Sequence, residues 1–244
     1  MEDFRSDMKN VVIPECGSRR LIFYLAMEEY VAKAFDEEAF FVWQSDPTVI
    51  IGRNQVLENE VNLAYCEAHG VQVYRRKSGG GCVYSDKGNI MMSYVSRRGD
   101  VSAVFDRFLS ELTACLCSLG LPAEKSGRND VLVEGRKVSG NAFHMLPDRS
   151  IVHGTLLHST DMEALTEAIR PPVEKLSRHG VESVRQRVCN LAEYSERMMQ
   201  VPEPLNSAEA LMEYLVKHFC DGVMTLDAKD VAEIEMIEKE YINL

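Results

Sequence analysis

The sequence has no Cys-x-x-Cys pair, and its seven cysteines (Cys16, Cys66, Cys82, Cys115, Cys117, Cys189, Cys220) are scattered and odd in number. That argues against both a disulfide framework and a zinc site. Free thiols fit a reducing compartment. The N-terminal stretch is polar and charged, with no apolar signal core, and no apolar run approaches the length of a membrane span. These absences predict a soluble, cytoplasmic protein with no membrane partner. Positive charge is also scarce: 27 Lys and Arg face 38 Asp and Glu, a net charge of −11, so no nucleic-acid partner is expected. There is no internal repeat and no low-complexity linker. With 45% hydrophobic residues in 244, the chain has enough apolar content for a sizeable core and is expected to form a single domain over 1–244, with closing helices at about 205–244.

Residues 1–17 read as an arm or first strand, and an amphipathic helix begins after Ser18, its expected N-cap. Strands are predicted at 39–44 and 48–52, around the Asp46-Pro47 turn. A helix is predicted at 60–69, ending at Gly70. Strands at 71–75 and 89–95 then bracket a glycine-rich loop. The clearest helix is 101–119, where Val104, Phe108, Leu112 and Leu116 recur every fourth residue before Gly120 and Pro122. A hairpin is predicted around Glu134-Gly135, a strand at 151–157, helices at 161–169, 207–219 and 229–241, and irregular chain at 170–190. Strands and helices interleave without a strict βαβ rhythm, which predicts an α+β fold on a mixed, mostly antiparallel sheet flanked by helices.

The most informative segment is 75–89, Arg-Arg-Lys-Ser-Gly-Gly-Gly-Cys-Val-Tyr-Ser-Asp-Lys-Gly-Asn. Three cations run into three glycines. Bare backbone admits a ligand closely, and positive charge beside it suits a phosphate or carboxylate. A glycine-rich hairpin turn with solvated flanks has the same composition. No Gly-Lys-Ser/Thr ends the loop, so it is not a Walker A motif, and Gly79-Gly80-Gly81 is not a G-x-G-x-x-G fingerprint. At 126–130, Ser-Gly-Arg-Asn-Asp puts Asn129 and Asp130 at a sheet end, in a composition that also makes plain turns. At 135–142, Lys137 opens a strand and Gly140 keeps the neighbouring backbone open. A fixed ammonium there suits charge developing on a phosphoryl or acyl group, although hairpin lysines are commonly solvated. His153 lies inside an apolar strand, where a hydrogen-bonded core histidine and a base are both compatible readings. No Ser-His-Asp order or carboxylate pair supports hydrolysis.

Taken in order, RRKSGGGCVYSDKGN, SGRNDVLVEGRKVSGNAF, HGTLL and SVRQRVCNL, with PTVIIGRNQ and LAMEE upstream, resemble the lipoate–protein ligase family. The resemblance implies a fold shared with biotin protein ligases and the catalytic cores of class II aminoacyl-tRNA synthetases. It implies a two-step reaction in which lipoate and ATP form lipoyl-adenylate with Mg²⁺ assisting. The acyl group then passes to a lysine of a lipoyl domain of a 2-oxoacid dehydrogenase E2 subunit, or of the glycine-cleavage H protein. Carried over by position, Arg76, Ser78, Gly79, Gly80 and Gly81 line the lipoyl-adenylate, and Val83 and Asn89 surround the adenine. Lys137 contacts the acyl-phosphate region as the catalytic candidate. Asn129 and Asp130 lie near the phosphates, with Asp130 the Mg²⁺ candidate, and His153 lies beside the lipoyl pocket.

The sequence departs from the family at Tyr24, where asparagine is common, at Cys82 in place of alanine, and at Cys189 in place of threonine. The family's C-terminal accessory domain is expected to be absent. That keeps open a transferase that uses lipoyl-adenylate with a separate accessory protein. Amidotransfer through a cysteine thioester ranks behind ligation, because 169–173 supplies no cysteine for it. A non-catalytic protein that binds lipoyl-adenylate or a lipoyl domain ranks behind it too, because Lys137, Asp130 and the glycine loop are intact.

Overall fold

The computed structural model describes residues 8–14, 17, 19–97, 99–127, 129–169 and 188–242. Eleven strands form two sheets among these residues. The larger sheet joins β1 (Met8–Val12), β2 (Glu38–Trp43), β6 (Asn89–Arg97), β7 (Ala123–Ser126), β8 (Asp130–Val133), β9 (Arg136–Met145), β10 (Arg149–Leu157) and β11 (Gly222–Thr225). Its spatial order is β11-β1-β2-β6-β10-β9-β8-β7. β1 runs parallel to both β11 and β2, and the remaining pairs are antiparallel. The smaller sheet is β4 (Gln72–Arg75), β3 (Thr48–Ile51) and β5 (Val83–Ser85), in that order. The mixed, mostly antiparallel sheet expected from the sequence is present.

Both faces of the large sheet are covered, and its central strands show how the sequence arranges this. Ile90, Met92 and Tyr94 of β6 enter one core, while Met91 and Val95 enter the other, as the two-residue period of a strand requires. The first core is closed by α4 (Val101–Ser118) and α7 (Ala208–Phe219), where Phe219 stacks on Phe40 at 4.3 Å. The second is closed by α1 (Leu21–Ala34) and α8 (Ala228–Ile242). A third cluster packs α3 (Leu63–Ala68) and α5 (Met162–Ala168) against the small sheet. Burying both faces removes the polar alternation that marks a half-exposed strand. All nine residues of β10 are buried.

The helix expected at 60–69 is two short ones, α2 (Leu57–Glu60) and α3. Val61 between them is 2% exposed and bridges Ile169, and Asn62 Oδ1 accepts from the Tyr65 amide as the cap of α3. Burial of one valine and a new cap thus outweigh continuation. The segment after the glycine loop holds β5, and β7 and β11 form the sheet edges; these short strands carry too few apolar residues to announce themselves. A last short helix, α6 (Ala192–Ser195), follows Leu191. Asp100, Asp161 and Ser207 cap α4, α5 and α7 through side-chain oxygens. The Ser18 cap expected for α1 is not its cap, since the helix starts at Leu21 with Arg20 at the N-cap position; Ser18 and most of the irregular stretch 170–190 lie outside the described residues. Among the described residues, no helix is long and apolar enough to cross a membrane.

Candidate active site

A cavity of about 260 Å³ opens between the two sheets. Arg76, Gly80, Gly81, Val83, Asn89, Asn129, Lys137 and His153, all singled out in the sequence, line it. Ser78, Gly79 and Asp130 stand behind that wall, each hydrogen-bonded or ion-paired to a residue that lines it. Leu25 of α1, Ile50 of β3 and Met91 of β6 supply apolar wall, which the sequence offered only as anonymous core positions.

The three cations ahead of the glycines are all engaged within the chain. Arg75 Nη1 donates to the carbonyls of Gly52, Arg53 and Gln55. Arg76, 4% exposed, donates from Nε to Ser78 Oγ (3.0 Å) and Gly79 O (3.1 Å), and from Nη1 to Ile50 O (3.3 Å). Its Nη2 donates to Gly79 O and Gly81 O, both at 2.7 Å. Arg76 is therefore the pin around which the loop folds. Burial lowers its pKa to about 10, still far enough above neutrality to keep the charge. No carboxylate pairs with it among the described residues, so its field favours an anion in the cavity.

Only Gly80 of the three glycines has a left-handed backbone, φ +94°, and a Cβ there would meet Arg76 Nη2 at 2.9 Å. A Cβ on Gly52 would meet Gly80 O at 2.2 Å. Gly79 and Gly81 have open space where a Cβ would stand.

Lys77 turns the other way, toward α8. Its Nζ lies 2.9 Å from Glu29 Oε1 and 2.8 Å from Glu240 Oε2, and 4.7 Å from the Tyr241 ring centre. Tyr241 also donates its hydroxyl to Glu29. Burial alone would raise the Glu29 pKa, but the Tyr241 and Lys77 hydrogen bonds outweigh it and hold the carboxyl below its usual range. A lowered carboxylate pKa stabilises the fold above the unfolded-state value of about 4.3 and loses that contribution as pH falls through the folded value. Urea midpoints measured from pH 6 down to pH 3 should therefore fall more steeply for the parent than for Glu29→Gln. Parallel curves would mean that Glu29 does not carry the acid sensitivity.

β8 and β9 meet in a two-residue turn at Glu134 and Gly135, both with positive φ (50° and 77°), the geometry of a type I′ hairpin. The register then slips: Val131 faces Ser139 but Leu132 faces Lys137, leaving Val138 as a bulge residue. Such a bulge re-aims neighbouring side chains. Lys137 Nζ lies 2.8 Å from Asp130 Oδ1, a coulombic contact whose geometry is not that of a directed hydrogen bond. A Cβ on Gly140 would stand 2.6 Å from both Cε and Nζ of Lys137. Gly140→Ala should leave the fold intact, since a flexible lysine end can yield, while displacing the ammonium. We expect a drop of about tenfold in turnover, part of what a fixed charge contributes. Unchanged turnover would show that the placement of Nζ is immaterial.

Asn129 and Asn141 exchange hydrogen bonds across β8 and β9. Gly154 lacks a side chain where Asn141 Oδ1 would meet a Cβ at 1.8 Å. The Oδ1 atoms of Asn89 and Asn141 are buried without a partner on the cavity wall. They are acceptors suited to a ligand N–H or O–H. His153 bonds on both ring nitrogens: Nε2 to Ser78 Oγ (2.7 Å) and Nδ1 to Glu28 Oε2 (2.8 Å). Glu28 was not among the expected site residues. Its signal was its place one turn after Leu25 on a helix face where both residues are buried. Burial raises the Cys82 thiol to about 12 and also raises that of Cys189, so neither is a thiolate nucleophile at neutral pH.

With this geometry in view, the profile of the Lipoyl protein ligase A/B catalytic domain matches residues 21–219. The chain is 36% identical over 220 residues to Lipoate-protein ligase LplJ of Bacillus subtilis, a match covering 89% of this chain and 63% of that protein. It is 39% identical over 182 residues to Lipoate–protein ligase 1 of Staphylococcus aureus, covering 73% and 56%. The chain thus spans less than two thirds of the length of these relatives. Among solved structures, a bi-partite lipoate protein ligase, described with its E2 lipoyl domain, from Thermoplasma acidophilum superposes with a TM-score of 0.82 at 25% identity. That match covers 96% of this chain and 92% of the archaeal one.

Proposed function

For a chain that belongs to the lipoyl protein ligase A/B catalytic-domain family, we propose lipoate–protein ligation, with ATP and lipoate as substrates and a lipoyl domain or the H protein as acceptor. The observation that carries this reading is the Lys137–Asp130 pair and the Arg76-pinned glycine loop meeting in one cavity with an apolar wall. In the first step a lipoate carboxylate oxygen attacks the α-phosphorus of ATP, and the bond to pyrophosphate breaks. Lys137 offsets the charge that develops on the phosphoryl oxygens. In the second step a neutral acceptor amine attacks the acyl carbonyl, AMP leaves and the amine loses a proton. That step is mainly a matter of placement. Leu25, Ile50 and Met91 suit the hydrocarbon end of the acid, and the free oxygens of Asn89 and Asn141 suit donors on the nucleotide.

Asp130 is the carboxylate paired with Lys137 of this wall, and no cluster of three or more His, Cys, Asp or Glu occurs among the described residues. One carboxylate fits Mg²⁺ held chiefly by phosphate oxygens and water. Bound there, the ion would offset phosphate charge.

Intact-mass spectrometry of an apo lipoyl domain tests the reading, with one tube given lipoate, ATP and Mg²⁺ and the other given lipoyl-adenylate. Acylation in both supports a complete ligase. Acylation from the adenylate alone supports a second reading, a transferase that adenylates only with a separate accessory protein. The match over 92% of the chain of a ligase described as bi-partite favours keeping that reading. Acylation in neither tube would sink both.

A further inference from the structure

The strand register sets His153 of β10 opposite Ser93 of β6 on the sheet face that α1 covers. Glu28 reaches both. Trp43 Nε1 donates to Ser93 Oγ (2.9 Å), Ser93 Oγ donates to Glu28 Oε1 (2.6 Å), and His153 Nδ1 lies 2.8 Å from Glu28 Oε2. On its far side, His153 Nε2 lies 2.7 Å from Ser78 Oγ, which also accepts from Arg76 Nε at 3.0 Å. All six residues are buried, none more than 8% exposed.

The protons along this chain can be counted. An ionised Glu28 only accepts, so Ser93 gives it its hydroxyl proton and His153 turns Nδ1–H toward it. Ser78 Oγ takes the Arg76 N–H, which leaves its own proton for His153 Nε2. With Nε2 as acceptor, every hydrogen bond has a single direction. With a proton on Nε2, Ser78 Oγ would accept from both Arg76 and His153, and its own hydroxyl proton would find no acceptor among the described residues. In a buried network an unmet donor is expensive, and a satisfied chain fixes one geometry.

We infer that Glu28 is a positioning residue of the glycine loop. Through His153 it orients Ser78, and through Ser78 it sets the plane of the Arg76 guanidinium. Arg76 in turn keeps the Gly79 and Gly81 carbonyl oxygens directed at itself and away from an anionic ligand. The functional consequence rests on the adenylating reading above; the direction of the hydrogen bonds does not. Ser78, His153 and Glu28 have the spacing of a nucleophilic triad, but Ser78 is 2% exposed, stands off the cavity wall and already accepts from Arg76. Its oxygen is part of the scaffold.

Glu28→Gln keeps the size but leaves one acceptor oxygen for two donors, so either Ser93 or His153 meets an N–H. Two measurements test the inference. ¹⁵N NMR of the histidine rings should show the parent His153 with its proton on Nδ1 and none on Nε2, and Glu28→Gln should alter that pattern. Calorimetry with a non-hydrolysable acyl-sulfamoyl adenosine should show about tenfold weaker binding for Glu28→Gln and for Ser78→Ala, the loss of one charge-assisted link. The double variant should bind no more weakly than either single one, since both break one chain. Should Glu28→Gln not fold, Glu28→Asp, which keeps the charge but draws the carboxylate back from His153, is measured instead. A parent His153 carrying its proton on Nε2, or a ring pattern unaltered by the substitution, overturns the inference. Additive losses in the double variant do so as well. If the parent fails to bind the analogue at all, the ligase reading fails, and the ring spectrum still decides the chain.

Discussion

Lys137→Ala should slow acyl-adenylate formation by about 10²–10³-fold, the usual cost of removing one preorganised charge from a transition state. Its thermal unfolding should be nearly unchanged. The two expectations follow from different features of the same side chain. The lysine is about a third exposed, as is its partner Asp130, and pairs of that exposure contribute about 0–1 kcal/mol to stability. Its value lies in where Nζ is held. The bulge at Val138, the bare backbone of Gly140 and the Asp130 carboxylate leave it one place, on the cavity wall. In the proposed reaction, charge that grows as the phosphorus is attacked strengthens a contact to Lys137 only in the transition state, so the loss should fall on kcat and on kcat/KM alike. Pyrophosphate release under saturating lipoate and ATP measures it directly. A variant that folds and turns over at the parent rate removes Lys137 from the chemistry and leaves the cavity a binding site.

What the sequence disclosed and what it hid divide along a physical line. Elements whose signals are local were legible: α4 with its fourfold spacing, the Glu134-Gly135 turn and the helix predicted at 207–219 all stand where expected. So was the polar part of the cavity, where eight of the eleven candidate residues converge, although its apolar wall was not. Elements that exist through distant partners were not legible. β5 forms because β3 offers an edge, and the helix expected at 60–69 is interrupted because Val61 finds Ile169. The cations show the limit most clearly. A run of Arg-Arg-Lys before glycines reads as an anion site, yet Arg75 and Lys77 are taken by partners outside the motif, the 52–55 loop and Glu29 with Glu240, while Arg76 is held mainly by Ser78, Gly79 and Gly81 of the loop itself. Glu28 looked like one of two ordinary acids in a helix until the register placed Ser93 and His153 beneath it.

Arg76→Lys preserves charge type and roughly preserves length, and should nevertheless cost about 3 kcal/mol or more, from charge-assisted hydrogen bonds worth about 1.5–3 kcal/mol each. The planar fork reaches Ser78, Gly79, Gly81 and Ile50 together. A single ammonium on a flexible stem cannot reach four separated acceptors, and two of them, on Ser78 and Ile50, belong to buried residues. Urea unfolding should register the loss, and amide exchange should quicken first across residues 76–82. A cost below about 1 kcal/mol would contradict the pin. A second effect separates geometry from charge. Burial already draws the arginine down to about 10, and a lysine, starting near 10.4, loses its proton far more readily in the same place. If part of the defect is lost charge, binding of an acyl-adenylate analogue to Arg76→Lys should improve as pH falls from 8 to 6, because the lysine regains its proton. If geometry alone is at fault, binding stays weak throughout. Either result separates what the guanidinium does by its shape from what it does by its field.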